Sequence, residues 1–166
     1  MAFTLYSHAV SLRDLGCTQS PMNAWITLNG VETLPLRMER HVENAQKVAG
    51  FLQQHPSVEW VSYAGLSSSP YYQLAQKYLQ GKAGSVFTFG IRGGYESGLR
   101  LLEKVELFSH VSNIGDSRSL ILHPASTTHR QLSDEQRLTA GAGPEVIRLS
   151  VGIESAEDLI ADLVQA

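Results

Sequence analysis

The run Glu145–Ser155, EVIRLSVGIES, constrains the fold more than any other stretch of the chain. Ile147, Leu149, Val151 and Ile153 alternate with Arg148, Ser150 and Gly152, the period of two that sends successive side chains to opposite faces of a strand. Such a strand needs a sheet with one face covered by apolar material and the other left to polar groups, a habit of antiparallel sheets. The run GSVFTFGI repeats the pattern, with Phe87, Phe89 and Ile91 on one side and Val86 and Thr88 on the other. The shorter β-rich runs SVEWVSY, LFSHVSNIG and SLILH are predicted as further strands.

Helices supply the cover. Leu36, Met38, Val42, Ala45, Val48, Ala49 and Leu52 recur at three- and four-residue spacing with Arg37, Glu39, Arg40, Glu43 and Lys47 between them, which predicts a long amphipathic helix starting near Thr33 and Pro35 and ending near His55-Pro56. SPYYQLAQKYL has a cap serine, Ser69, and a first-turn proline; YESGLRLLEKV follows a Gly93-Gly94 turn. SAEDLIADLVQA is capped by Ser155, with Asp158 where a capping box would put its acid. Because strands and helices do not alternate regularly, residues 35–166 are predicted as an α+β domain, a mostly antiparallel sheet with helices on one face. Residues 1–34 stand apart. Ser20-Pro21 starts a helix there whose Met22, Trp25, Ile26 and Leu28 have no evident partner.

Composition excludes several classes. With 43% hydrophobic residues, 17% charged residues and a formal net charge of -3, the chain has no basic stripe for nucleic acid and no polybasic anchor for a membrane. No apolar run reaches membrane-spanning length and the first residues lack the pattern of a signal peptide, so a cytoplasmic protein is expected. Cys17 is the only cysteine, which rules out an internal disulfide, and its neighbours Gly16 and Thr18 offer no cation to activate it.

The polar material gathers late in the chain. Arg148 rises from the face opposite the apolar one, where a guanidinium can grip a carboxylate through two parallel hydrogen bonds; a solvated arginine on an open sheet face is the simpler reading of the pattern alone. His123 and His129 in HPASTTH are six apart across a proline, which fits no common zinc spacing. Ser126, Thr127 and Thr128 can donate to an anion or bond locally. GIRGGYESG has the wrong glycine spacing for a phosphate loop, and Asn113 and Asp116 around Gly115 read as a turn.

Taken together, SPMNAWITLNGVETLPLRMERHVENAQKVAGFL, GSVFTFGIRGG, LFSHVSNIGDSRSLILHPASTTHRQLSDEQRLTAGAGPEVIRLSVGIES and DLIADL closely resemble the carboxy-terminal part of the Cys/Met-metabolism enzymes that use pyridoxal phosphate, with the O-acetylhomoserine sulfhydrylase branch nearest. The likeness runs from about Leu12 to the end. It implies the small C-terminal domain of an aspartate aminotransferase-type, PLP-dependent transferase, and an oligomer in which sulfide or a thiol replaces the acetate on the γ-carbon of an O-acetylhomoserine-like amino acid. Arg148 matches the family's carboxylate clamp, Asn113 stands where relatives have a serine lining the same pocket, and Thr128 matches a threonine near cofactor and substrate. The family's Schiff-base lysine and phosphate-binding residues lie in a large domain with no counterpart here, and Lys47, Lys77, Lys82 and Lys104 stand in none of its anchor contexts. Pyridoxal phosphate is therefore expected in the parent enzyme and not on this chain alone. A non-catalytic amino-acid-binding or assembly and regulatory domain is the alternative.

Overall fold

The structure, a computed structural model, describes residues 1–166 and divides them into two compact units, Met1–Pro35 and Leu36–Ala166. The first unit is helical. Helix α1 (Ala2–Tyr6) runs through a π-helical stretch, Ser7–Leu12, into α2 (Arg13–Leu15), which stops at Gly16 with φ of 66°. A left-handed residue there costs glycine little because it has no Cβ. Helix α3 (Pro21–Glu32) starts where Ser20-Pro21 predicts, the Ser20 hydroxyl accepting the Asn23 amide at 3.2 Å. None of its residues is buried.

The second unit is built on a four-stranded antiparallel sheet of order β1-β2-β4-β3, with β1 at Val58–Ser62, β2 at Val86–Ile91, β3 at Leu120–Leu122 and β4 at Val146–Ser150. Register decides which side chains meet. Phe87 pairs with Leu149, Phe89 with Ile147, and Ile121 with Leu149, so the apolar halves of the alternating strands share one face. Helices α4 (Leu34–Gln54), α6 (Gly94–Lys104) and α8 (Ala156–Gln165) supply the cover through Val48, Leu52, Leu101, Leu102, Leu159 and Leu163. Each large side chain buried in this layer contributes about 1.5–3 kcal/mol. The helix-covered antiparallel sheet expected from the alternation is present.

Several local expectations are corrected. LFSHVSNIG is not a strand: only Ser109 bridges Leu120, because the Val111 amide turns back onto the Ser109 carbonyl at 3.0 Å and ends the extended run. Helix α5 (Tyr72–Leu79) begins later than a Ser69 cap implies; Ser69 instead holds a turn, its hydroxyl accepting the Tyr71 amide at 3.3 Å. The polar stretch after His129 contains helix α7 (Asp134–Thr139), started by a complete capping box between Ser133 and Gln136. At α8 only half of the expected box forms. The Ser155 hydroxyl accepts the Asp158 amide at 3.3 Å and itself donates to the Glu157 carboxylate, 3.0 Å away, rather than being answered by Asp158.

Helix α8 also ties down the loop after α6. Asp162, buried on α8, accepts the amides of Glu106, Leu107 and Phe108 at 2.8, 2.9 and 3.2 Å. Burial works against its charge, yet these amides and the Gln165 side chain outweigh it and hold the carboxyl below its usual range.

Candidate functional site

Strand β4 is the platform of the candidate site. Its inward residues Ile147 and Leu149 are fully buried, and the intervening Arg148 projects from the other face, between Thr88 of β2 and Leu122 of β3. Arg148 is half-buried. No carboxylate lies within ion-pair distance of it. Its Nη2 donates to the main-chain carbonyl of Asn113 at 3.3 Å. A guanidinium carries five N–H donors in a planar fork, so most of its capacity is directed at no acid of this chain.

Asn113 thus meets Arg148 through its backbone, while its side-chain Oδ1 accepts the Ile114 amide at 2.9 Å and fixes the turn at Gly115, where φ is 75°. Thr128 is exposed in the turn that follows a 3-10 helix, Pro124–Ser126, and its hydroxyl lies 2.9 Å from His129 Nδ1. No hydrogen bond joins Thr128 to Arg148 or Asn113. All three nevertheless belong to one end of the sheet: Leu122 pairs with Arg148, and the loop bearing Thr128 leaves from the next residue. On the same face as Arg148, Ser150 is buried with a hydroxyl that has no partner.

The two histidines have different fates. His123 is fully buried; Nε2 donates to the Pro144 carbonyl at 2.9 Å and Nδ1 meets the Ser126 hydroxyl at 3.0 Å. Its ring stacks edge-on against Tyr95 and packs on Gly98 of α6, where a Cβ would come within 3.0 Å of it. His123 therefore bolts the Thr128 loop to the segment that leads into the strand carrying Arg148. No group of three or more His, Cys, Asp or Glu is arranged to hold a metal ion.

Four residues behind the site escape a reading for chemistry. As β4 ends, His41 Nδ1 donates to the Val151 carbonyl at 2.6 Å, and Asn44 Nδ2 donates to the carbonyls of Gly152 and Glu154 at 3.0 and 2.8 Å. Glu154 returns to the sheet, its carboxylate accepting the Ser119 amide at 2.6 Å and the Ser119 hydroxyl at 2.9 Å, while that hydroxyl accepts the Gly152 amide at 2.8 Å. The signal was available. His41 and Asn44 fall in phase with Ala45, Val48, Ala49 and Leu52 on the buried stripe of α4, and polar residues on a buried stripe need partners.

The four lysines of the chain are paired, stacked or exposed. Lys47 pairs with Glu43 at 3.0 Å, Lys82 with Glu39 at 3.1 Å, Lys77 lies 4.9 Å over the Tyr78 ring, and Lys104 is exposed at the end of α6. None is a buried amine beside an acid and a stacking ring.

Comparison with known proteins gives the lineage. The family profile described as "Cys/Met metabolism PLP-dependent enzyme" matches residues 3–166. O-acetyl-L-homoserine sulfhydrylase 1 of Thermus thermophilus is 50% identical over 166 residues, covering 100% of this chain and 39% of that protein. O-acetyl-L-homoserine sulfhydrylase of Leptospira meyeri is 52% identical over 167 residues, covering 100% of this chain and 38% of its own length. The crystal structure of a Campylobacter jejuni protein described as a putative O-acetylhomoserine (thiol)-lyase, with N'-pyridoxyl-lysine-5'-monophosphate, superposes with a TM-score of 0.90 at 46% identity over 99% of this chain and 39% of that one. The chain thus spans about two fifths of the length of these relatives. It belongs to the Cys/Met-metabolism family of PLP-dependent enzymes.

Proposed function

We propose that this chain is the carboxy-terminal small domain of an O-acetylhomoserine sulfhydrylase, and that Arg148, with Asn113 and Thr128 beside it, holds the carboxylate of the amino-acid substrate. The observation that carries this is the Arg148 guanidinium, half-buried on a sheet face, oriented by the Asn113 carbonyl and paired with no acid. A buried ion pair would have spent that charge internally; a freely solvated arginine would have no fixed direction. Two parallel charge-assisted hydrogen bonds to a carboxylate would complete it.

The overall reaction exchanges acetate on the substrate's γ-carbon for sulfide or a small thiol, giving homocysteine or methionine. Pyridoxal phosphate, bound by a large domain outside this chain, supplies the carbanion chemistry; the protein's share is to bind and orient. Arg148 fixes the carboxylate end, so the reacting carbons face away from β4 towards that domain. Residues 1–34 are the junction that packs on it. On this reading the isolated chain is inactive and the complete protein is a cytoplasmic homo-oligomer.

The test is Arg148→Ala in a complete enzyme that contains this segment. Loss of a charge-assisted contact worth about 2–3 kcal/mol lowers kcat/KM by about 30- to 150-fold. Arg148→Lys recovers only part of it, since an ammonium cannot make the paired bonds. Unchanged kinetics in the alanine variant removes the assignment.

A further inference from the structure

The far side of the second unit holds a cavity of about 300 Å³, on the helix-covered face of the sheet and so opposite Arg148. The volume falls at the small end of the range for small-molecule sites. Its inner wall is apolar, made by Phe51, Leu52, Phe89, Leu101 and Leu163. Its mouth carries Arg92, Arg100 and Lys104, with His55 and the chain-terminal residue Ala166 also lining the cavity, and no Asp or Glu side chain lines it. That composition runs against the chain as a whole, whose formal charge is -3.

Arg92 and Arg100 are held in place, and none of the three cations makes an ion pair with the terminal carboxylate of Ala166 or with any other acid. Arg92 Nε donates to the Pro56 carbonyl at 2.9 Å and Arg100 Nη2 to the Ser97 hydroxyl at 3.0 Å, while neither they nor Lys104 joins an ion pair. Arg100 and Lys104 are four apart on α6, the spacing at which like charges face each other and destabilise a helix. A carboxylate at the mouth relieves that repulsion, and a hydrocarbon tail fits the wall behind it.

We propose that this cavity binds a small carboxylate with an apolar tail, its head between Arg92, Arg100 and Lys104 and its tail against Phe89 and Leu163. The site is independent of the carboxylate clamp proposed for Arg148, on the other face of the sheet. The probe is octanoate, titrated into the 166-residue chain and followed by amide chemical shifts, with octan-1-ol as the uncharged comparison. Octanoate should move the amides of Ile91, Leu101 and Val164 and bind about tenfold or more tightly than the alcohol. In Arg100→Gln/Lys104→Gln, two exposed changes, octanoate should weaken by about tenfold while octanol is unaffected. Shifts confined to residues 1–35, equal binding of acid and alcohol, or no shift at all overturns the proposal. The acid-against-alcohol comparison uses the unaltered chain and decides the matter even if the double variant does not fold.

Discussion

Replacing Asn44 with alanine tests whether the candidate site rests on the polar clamp behind it. Asn44 is fully buried, and its two Nδ2 hydrogens serve the carbonyls of Gly152 and Glu154 at 3.0 and 2.8 Å. Alanine leaves two carbonyls without donors, each omission costing about 1–3 kcal/mol. The sum, about 2–6 kcal/mol, is a large share of the roughly 5–15 kcal/mol that keeps a domain folded. With a urea dependence of about 1–3 kcal/mol/M, a loss near 3 kcal/mol lowers the unfolding midpoint by about 1–3 M. Trp60 on β1 reports on the second unit once Trp25, the other tryptophan, is changed to phenylalanine. Asn44→Asp should be worse than alanine at neutral pH, because a carboxylate oxygen would then face two carbonyl oxygens. A loss below about 1 kcal/mol in Asn44→Ala, or an aspartate variant as stable as wild type, would refute the reasoning.

Asp162 gives a pH signature. Its carboxyl sits below the ordinary value of 3.8 in the folded chain, so as pH falls the unfolded chain takes up this proton first; the stabilisation is present above 3.8 and is lost as pH drops through the lowered native value. Asp162→Asn should cost about 1–3 kcal/mol at neutral pH and flatten the acid limb of a urea-stability profile; identical acid limbs would reject this, since Glu43, Asp116 and Glu157, also lowered, are common to both proteins. The first unit exposes Phe3 at 84%, Leu15 at 75%, Met22 at 63% and Trp25 at 62%, more apolar surface than a small soluble unit usually carries. The chain should therefore self-associate through it, and sedimentation showing a strict monomer at high concentration counts against that.

The sheet was legible because its signal is local and redundant. Phe87, Phe89, Ile147 and Leu149 alternate with polar or small residues, and the pattern that predicts each strand also dictates which face meets the helices. Elements decided by one or two hydrogen bonds were not legible. Val111 turning back onto Ser109 ends a run that composition alone marks as extended, and the Ser133–Gln136 box starts a helix of six residues inside a polar stretch. The position of Arg148 on its face follows from alternation; its contact with Asn113 does not, since it uses a backbone carbonyl 35 residues away. A backbone acceptor has no residue-specific trace in a sequence. The buried roles of His41 and Asn44 were readable in principle, since both lie on the apolar stripe of α4.

One strand carries both the core and the candidate site, and register is what keeps them apart. Thr88 faces Arg148 while Phe87 faces Leu149. A slip of β4 by one residue would drive the arginine into the layer between Phe89 and the helices and lift Leu149 to the other face. An unpaired guanidinium in that layer would cost several kcal/mol, so the core itself opposes the slip. The clamp at the end of the strand opposes it again. His41, Asn44, Ser119 and Glu154 all seize backbone groups or each other between Val151 and Glu154, and each bond is lost if the strand advances by one position. The hydrophobic alternation thus selects the face on which Arg148 stands, and the buried polar clamp fixes where along that face it stands. The grip on a carboxylate proposed for Arg148 requires both.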